Sequence, residues 1–136
     1  MEIKTDGICT LLQVFDMNAS IFFYCNVLGF ELYQSAGPEE DIGWVWLKKG
    51  NIEIMLNTAY ETTDRPLQPD PSRVAVHSDT CIYIGCLNID QAYDYLLSKG
   101  IQLSPPTITH YGMKQMYLLD PDGYSLCFQW SVTPDV

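Results

Sequence analysis

The strongest constraint on this chain is that it repeats itself. Ile8 to Phe15 is rich in branched aliphatic residues and reads as a strand, and Asp16 is placed to cap a helix from Met17 to Leu28. Met17, Ile21, Tyr24 and Leu28 form one stripe at helical spacing, and Gly29 ends the helix. Phe30 to Tyr33 alternates as a strand, and Gly37-Pro38-Glu39-Glu40-Asp41 is a polar loop. Gly43 to Lys48 and Ile52 to Asn57 are strands on either side of the tight turn Lys49-Gly50-Asn51. The order is β-α-β-β-β, and it returns. Cys81 to Leu87 is a strand, Asn88 caps a helix from Ile89 to Lys99, Gly100 ends it, and Ile101 to Ser104 is a short strand. Pro105-Pro106 enforces a loop. Lys114 to Leu119 and Tyr124 to Trp130 are strands joined by the turn Asp120-Pro121-Asp122-Gly123. Asp16 and Asn88 are 72 residues apart, and Gly29 and Gly100 are 71 apart. A fixed offset running through a whole pattern says more than any single residue. Between the copies, Pro66, Pro69 and Pro71 sit among polar residues, so 58–80 reads as a linker or a lid.

At 136 residues, the repeat fits one domain, with a first half at 7–57 and a second at 81–130. Hydrophobic residues make up 47% and charged residues 18%, enough apolar material for a packed core. Seven Lys+Arg stand against 17 Asp+Glu, a formal charge of −10. That field repels nucleic acid and anionic membranes and suits a neutral or cationic small ligand, though net charge also serves solubility. The longest uncharged apolar-leaning run, Met17 to Phe30, is too short to span a bilayer. No apolar signal core follows Met1, so a cytoplasmic protein is expected. Five cysteines, an odd number at wide spacing with no CxxC pair, argue against a disulfide scaffold and for reduced thiols.

The run Gly112-Met113-Lys114-Gln115-Met116-Tyr117, followed by Asp120-Pro121-Asp122-Gly123-Tyr124, is the most specific stretch. With Phe23-Tyr24 and Leu28-Gly29-Phe30 in the first copy, it resembles the vicinal-oxygen-chelate superfamily of glyoxalase I, bleomycin-resistance proteins and extradiol dioxygenases. The resemblance runs from Gly7 to Trp130. It implies an α+β fold in which two βαβββ repeats form cupped mixed sheets, and a homodimer. Metal-dependent members hold their ion with four side chains, two from each half, usually His, Glu or Gln. The resemblance maps those positions onto Cys9, Glu53, Cys81 and Cys127. Cys9 and Cys81 share the 72-residue offset of the helix caps. With no histidine in the set, a metal-free cup is the favoured expectation. Zinc or another thiophilic ion is the alternative that three thiols and a carboxylate would suit.

Strand alternation supplies the remaining candidates. Cys9 travels with Leu11 and Gln13, Glu53 with Met55 and Asn57, Cys81 with Tyr83 and Gly85, and Cys127 with Ser125 and Gln129; all are expected to line the cup. Trp44 and Trp46 share a face, which is either the pocket or a core or interface surface. If it is the pocket, they and Tyr83, with Tyr33 as a further candidate, offer rings to a flat aromatic ligand or a cation. Glu53 is a candidate base or partner for a ligand amine, or it hydrogen-bonds Gln13 or Gln129. His110, just before Gly112, is a candidate acid or base at the cup mouth, or an exposed loop residue. Ligand contact is therefore expected from Gln13, Trp44, Trp46, Glu53, Met55, Tyr83, His110 and Gln129. Cys25 and Cys86 read as core fillers, and His77 receives no role. The Asp-Pro-Asp-Gly turn lacks the further oxygen ligands of a calcium loop, and no P-loop or dinucleotide fingerprint is present.

Two functions follow. The favoured one is a protein that binds a drug-sized, cationic or aromatic small molecule in a metal-free cup, as in antibiotic resistance. The alternative is a metal-dependent lyase, isomerase or dioxygenase-type enzyme using Cys9, Glu53, Cys81 and Cys127. Thiol chemistry without metal is a weaker third, because no Lys or Arg stands near the cup thiols in sequence.

Overall fold

A computed structural model describes residues 1–132. The chain forms two compact units, one spanning Met1–Gln68 and one beginning at Pro69. Each contains one mixed four-stranded sheet.

In the first unit, strand β1 (Thr10–Val14) leads into helix α1 (Met17–Ile21), followed by β2 (Glu31–Ala36), β3 (Trp44–Lys49) and β4 (Ile52–Thr58). The sheet order is β1-β4-β3-β2. β1 runs parallel to β4, and the other pairings are antiparallel. Asp16 caps α1 by accepting a hydrogen bond from the Ala19 amide. The helix expected to run on to Leu28 instead widens into a π-helical segment, Phe22–Val27, closed by the Leu28 N–H donating to the Phe23 carbonyl. Each π turn takes more residues than an α turn and so rotates the face that follows. The buried set is therefore Met17, Ser20, Phe23, Tyr24 and Val27, while Ile21 and Leu28 of the expected stripe are half-buried. These side chains cover one face of the sheet, whose Leu12, Val14, Val45, Leu47, Ile54 and Leu56 are buried.

The second unit opens with helix α2 (Pro71–His77), followed by β5 (Cys81–Gly85), α3 (Ile89–Ser98), β6 (Thr107–Ile108), β7 (Met113–Leu119) and β8 (Ser125–Ser131). The sheet order β5-β8-β7-β6 repeats that of the first unit strand for strand, with β5 parallel to β8. α3 packs on β7 and β8, over the buried Met116, Leu118 and Leu126. Two expectations are corrected here. The short strand lies at Thr107–Ile108, after Pro105-Pro106, rather than at 101–104. Asn88 holds the N-cap position, but its side chain makes no cap bond; its amide donates to Gln91 Oε1 instead. The segment 58–80, expected as a linker or a lid, contains helix α2. Asp70 caps α2 by accepting from the Ser72 amide at 2.9 Å, and Pro71 opens the helix where its missing N–H costs nothing.

α2 docks on the Asp-Pro-Asp-Gly turn. His77 Nδ1 lies 2.7 Å from the Asp122 carbonyl oxygen, and its ring stacks on Tyr124 at 4.0 Å. The turn is held by Asp120, whose Oδ1 accepts from the amides of Asp122 and Tyr124 at 2.9 Å each. This turn fixes the β7-β8 register that pairs Gln115 with Gln129 and Tyr117 with Cys127.

Candidate functional site

Each sheet packs one face against its helix and leaves the other open. In the first unit, the open face carries Gln13 from β1, Trp44, Trp46 and Lys48 from β3, and Glu53, Met55 and Asn57 from β4. Val45 and Leu47, wholly buried on the helix side, place the two tryptophans on the opposite face of the sheet. β3 and β4 are joined through a two-residue loop, so Lys48 falls opposite Glu53, Trp46 opposite Met55 and Trp44 opposite Asn57. The Lys48 ammonium is 3.5 Å from Glu53 Oε1 and lies over the rings of Tyr33 and Trp46, 3.7 Å and 4.6 Å from their centroids. Tyr33 and Trp46 meet edge to face at 4.9 Å. Gln13 accepts from Asn57 Nδ2 at 3.3 Å. Glu53 thus has a lysine partner.

The open face of the second unit is different in kind. It carries Cys81 and Tyr83 from β5, Gln115 and Tyr117 from β7, and Ser125, Cys127 and Gln129 from β8. Its polar atoms form a connected network. Gln115, itself buried, donates from Nε2 to Gln129 Oε1 at 2.9 Å and to the Tyr111 hydroxyl at 3.2 Å. Tyr117 donates to Gln115 Oε1 at 3.3 Å, and its hydroxyl is 3.1 Å from that of Tyr83. The tyrosine rings at 83, 111 and 117 are about half exposed, at 52%, 59% and 47%, so the network presents ring surface outward. Hydrogen bonding to Tyr83, helped by the neighbouring Cys127 thiol, pushes the Tyr117 phenol well above its ordinary value.

The mapped metal positions split between the units, Cys9 and Glu53 in the first, Cys81 and Cys127 in the second. Within each unit, among the described residues, no three His, Cys, Asp or Glu side chains come together as a metal-binding group. A cation ligates thiolate and free carboxylate. Burial and the adjacent Glu53 charge push the Cys9 thiol up, against a smaller opposing effect of Lys48. Burial likewise pushes Cys127 up, with Tyr117 opposing and Cys81 adding. Glu53 already has an ammonium beside it. These groups favour neutral thiols and a paired carboxylate.

The other expected residues fall as follows. His110 is exposed on the loop before β7, its ring against Tyr111 at 5.0 Å. Cys25 and Cys86 are half-buried rather than core. Sequence reasoning gave no site role to Lys48, Gln115 or Tyr117, and placed Tyr111 with His110 at the cup mouth without a role of its own. It also missed a cleft of about 220 Å³ in the first unit, lined among others by Asp16, Asp41, Thr58, Tyr60, Thr62 and Arg65. Among the described residues, no helix is long and apolar enough to cross a membrane.

Two βαβββ units, each closing a core on one sheet face and leaving ring and amide groups on the other, define a class of small α+β proteins. The chain belongs to the Glyoxalase/Bleomycin resistance protein/Dioxygenase superfamily, whose family model matches residues 8–128. Among curated proteins, no sequence matches. Solved structures share the fold. A glyoxalase/bleomycin resistance protein/dioxygenase from Nocardioides is 22% identical, with a TM-score of 0.73 over 98% of this chain and 89% of that one. TnmS3, an antibiotic binding protein from Streptomyces sp. CB03234, is 16% identical, with a TM-score of 0.70 over 96% and 99%. A bleomycin-binding protein complexed with bleomycin is 21% identical, with a TM-score of 0.69 over 93% and 99%.

Proposed function

We propose that this protein binds a drug-sized small molecule carrying aromatic and cationic parts on its open sheet faces, without a metal. The observation that carries the reading is the network of Tyr83, Tyr117, Gln115, Gln129 and Tyr111. It is uncharged, internally satisfied and backed by rings, a surface suited to stacking and hydrogen bonding with a flat polar ligand. Beneath it, Cys127 is buried and its thiol is pushed up. The formal charge of −10 draws a cation toward the molecule. Two of the structural relatives are a bleomycin-binding and an antibiotic binding protein, which supports this class of ligand.

The test is titration of the whole protein with bleomycin and with planar cationic aromatics, read by tryptophan quenching and calorimetry. Saturable binding that chelators leave unchanged is expected. Gln115→Leu should weaken it by about tenfold or more, because each partner of Gln115 then loses a hydrogen bond. Binding or turnover that needs zinc would overturn the reading in favour of a metal-dependent lyase, isomerase or dioxygenase-type enzyme. The same reading takes the protein as a homodimer in the cytoplasm; light scattering at micromolar concentration tests the dimer.

A further inference from the structure

The open face of the first unit holds an arrangement the ligand-binding reading does not yet use. Tyr33 and Trp46 stand at 86° to each other, making two perpendicular ring walls. The Glu53 carboxylate forms a third side, and the space between is filled by the chain's own Lys48 ammonium, 3.5 Å from Glu53 and 3.7 Å from the Tyr33 centroid. Two electron-rich rings and a carboxylate around one nitrogen are the composition of an organic-ammonium site. Beside it, the Trp46 indole Nε1 is buried and has no hydrogen-bond partner among the described residues. A buried donor left unsatisfied is costly, so an orphan of this kind points to an acceptor that arrives from outside.

We infer that Lys48 is a tethered occupant of a cation site, and that a ligand's ammonium group displaces it. This rests on the proposed function and narrows its ligand: an organic cation with a carbonyl or ether oxygen close to the charged nitrogen, the oxygen meeting Trp46 Nε1. Lys48 is suited to leave. Its side chain is 34% exposed, it ends in four flexible carbons, and its register partner on β2 is a second carboxylate residue, Glu31. An anion is the poorer occupant, because it would have to approach the Glu53 charge and part an ammonium already held by two rings.

The experiment titrates acetylcholine, its uncharged carbon isostere 3,3-dimethylbutyl acetate, and benzoate into the wild type and three variants, read by Trp fluorescence and by calorimetry. Lys48→Gln should bind acetylcholine at least tenfold more tightly than the wild type. Lys48→Arg, which keeps a cation in place, should stay near wild type, and adding Glu53→Gln to Lys48→Gln should remove the gain. The isostere should gain nothing. Equal or weaker acetylcholine binding by Lys48→Gln overturns the inference, as does an equal gain for the isostere. Benzoate that binds the wild type and is lost in Lys48→Gln makes Lys48 an anion anchor and also overturns it. Bleomycin, run alongside, separates the two failures. Bleomycin bound by the wild type with no acetylcholine gain in Lys48→Gln sinks the inference alone, and no binding by either protein sinks both.

Discussion

Asp120→Ala tests whether the Asp-Pro-Asp-Gly turn organises the second unit. Asp120 is 5% exposed, and its Oδ1 accepts from two backbone amides, Asp122 and Tyr124, both at 2.9 Å. Both residues are buried. Hydrogen bonds to a charged acceptor contribute roughly 1.5–3 kcal/mol each, and removing the acceptor leaves both donors facing a nearly closed space. Partial entry of water recovers some of that. The expected loss is about 2–5 kcal/mol, against a total stability of roughly 5–15 kcal/mol for a domain. With a urea slope near 2 kcal/mol per molar, the midpoint should fall by about 1–2.5 M. Asp120→Asn keeps the amide oxygen in place and should lose only about 1 kcal/mol, the charge-assisted part. The assay is urea unfolding followed by far-UV circular dichroism and by tyrosine fluorescence. If Asp120→Ala shifts the midpoint by less than about 0.5 M, or if Asn is as damaging as Ala, the two amides are not held through Oδ1 and the reasoning fails.

Three further outcomes are expected. Gly123 has φ +83, and an added Cβ would lie 3.0 Å from Val74 Cγ1 and 3.1 Å from the Val74 carbonyl oxygen. Gly123→Ala should therefore cost about 2 kcal/mol or more, and Gly100→Ala, with similar φ but open space, only about 1 kcal/mol, measured by the same urea titration. Alkylation of the native protein with iodoacetamide, mapped by mass spectrometry, should label the exposed Cys81 first and the buried Cys127 last; equal rates would contradict the placement of Cys127. Because the folded chain holds the Cys127 proton more tightly than the unfolded chain does, its contribution to stability is full below the ordinary thiol value of 9.0 and is lost as pH rises through the folded value. The unfolding midpoint should decline above about pH 9, and less steeply in Cys127→Ala.

The repeat was legible because helix caps, glycine stops and strand alternation recur at one offset, and each is a local signal. The same alternation sets Glu53 with Met55, and Tyr83 with Cys81, on one face of their strands, as the register shows. What alternation does not carry is a break in helical period. The π-helical turn at Phe22–Val27 replaced an expected stripe through Ile21 and Leu28 by one through Phe23 and Val27. Helix α2 went unread although Asp70-Pro71 is a cap followed by a first-turn proline, because the surrounding prolines dominated the reading of 58–80.

The site residues that went unread share one cause: they follow from register, which alternation alone leaves open. Once Gly50-Asn51 is taken as a two-residue loop, counting outward pairs Lys49 with Ile52 and Lys48 with Glu53. The ion pair was then implicit in the sequence, and so was a cation acting on Cys9. The turn at Asp120 to Tyr124 works the same way. Leu119 pairs with Ser125, so Tyr117 meets Cys127 and Gln115 meets Gln129. That register sets a phenol and an amide over two positions the family resemblance assigns to metal chemistry or its surroundings. A carboxylate matched to a lysine and a thiol roofed by a tyrosine are arrangements that neutralise charge within the sheet. Under the proposed function, rings and amides are then left to meet the ligand, so substitutions at Gln115 and Lys48, rather than at the cysteines, are the ones expected to change binding.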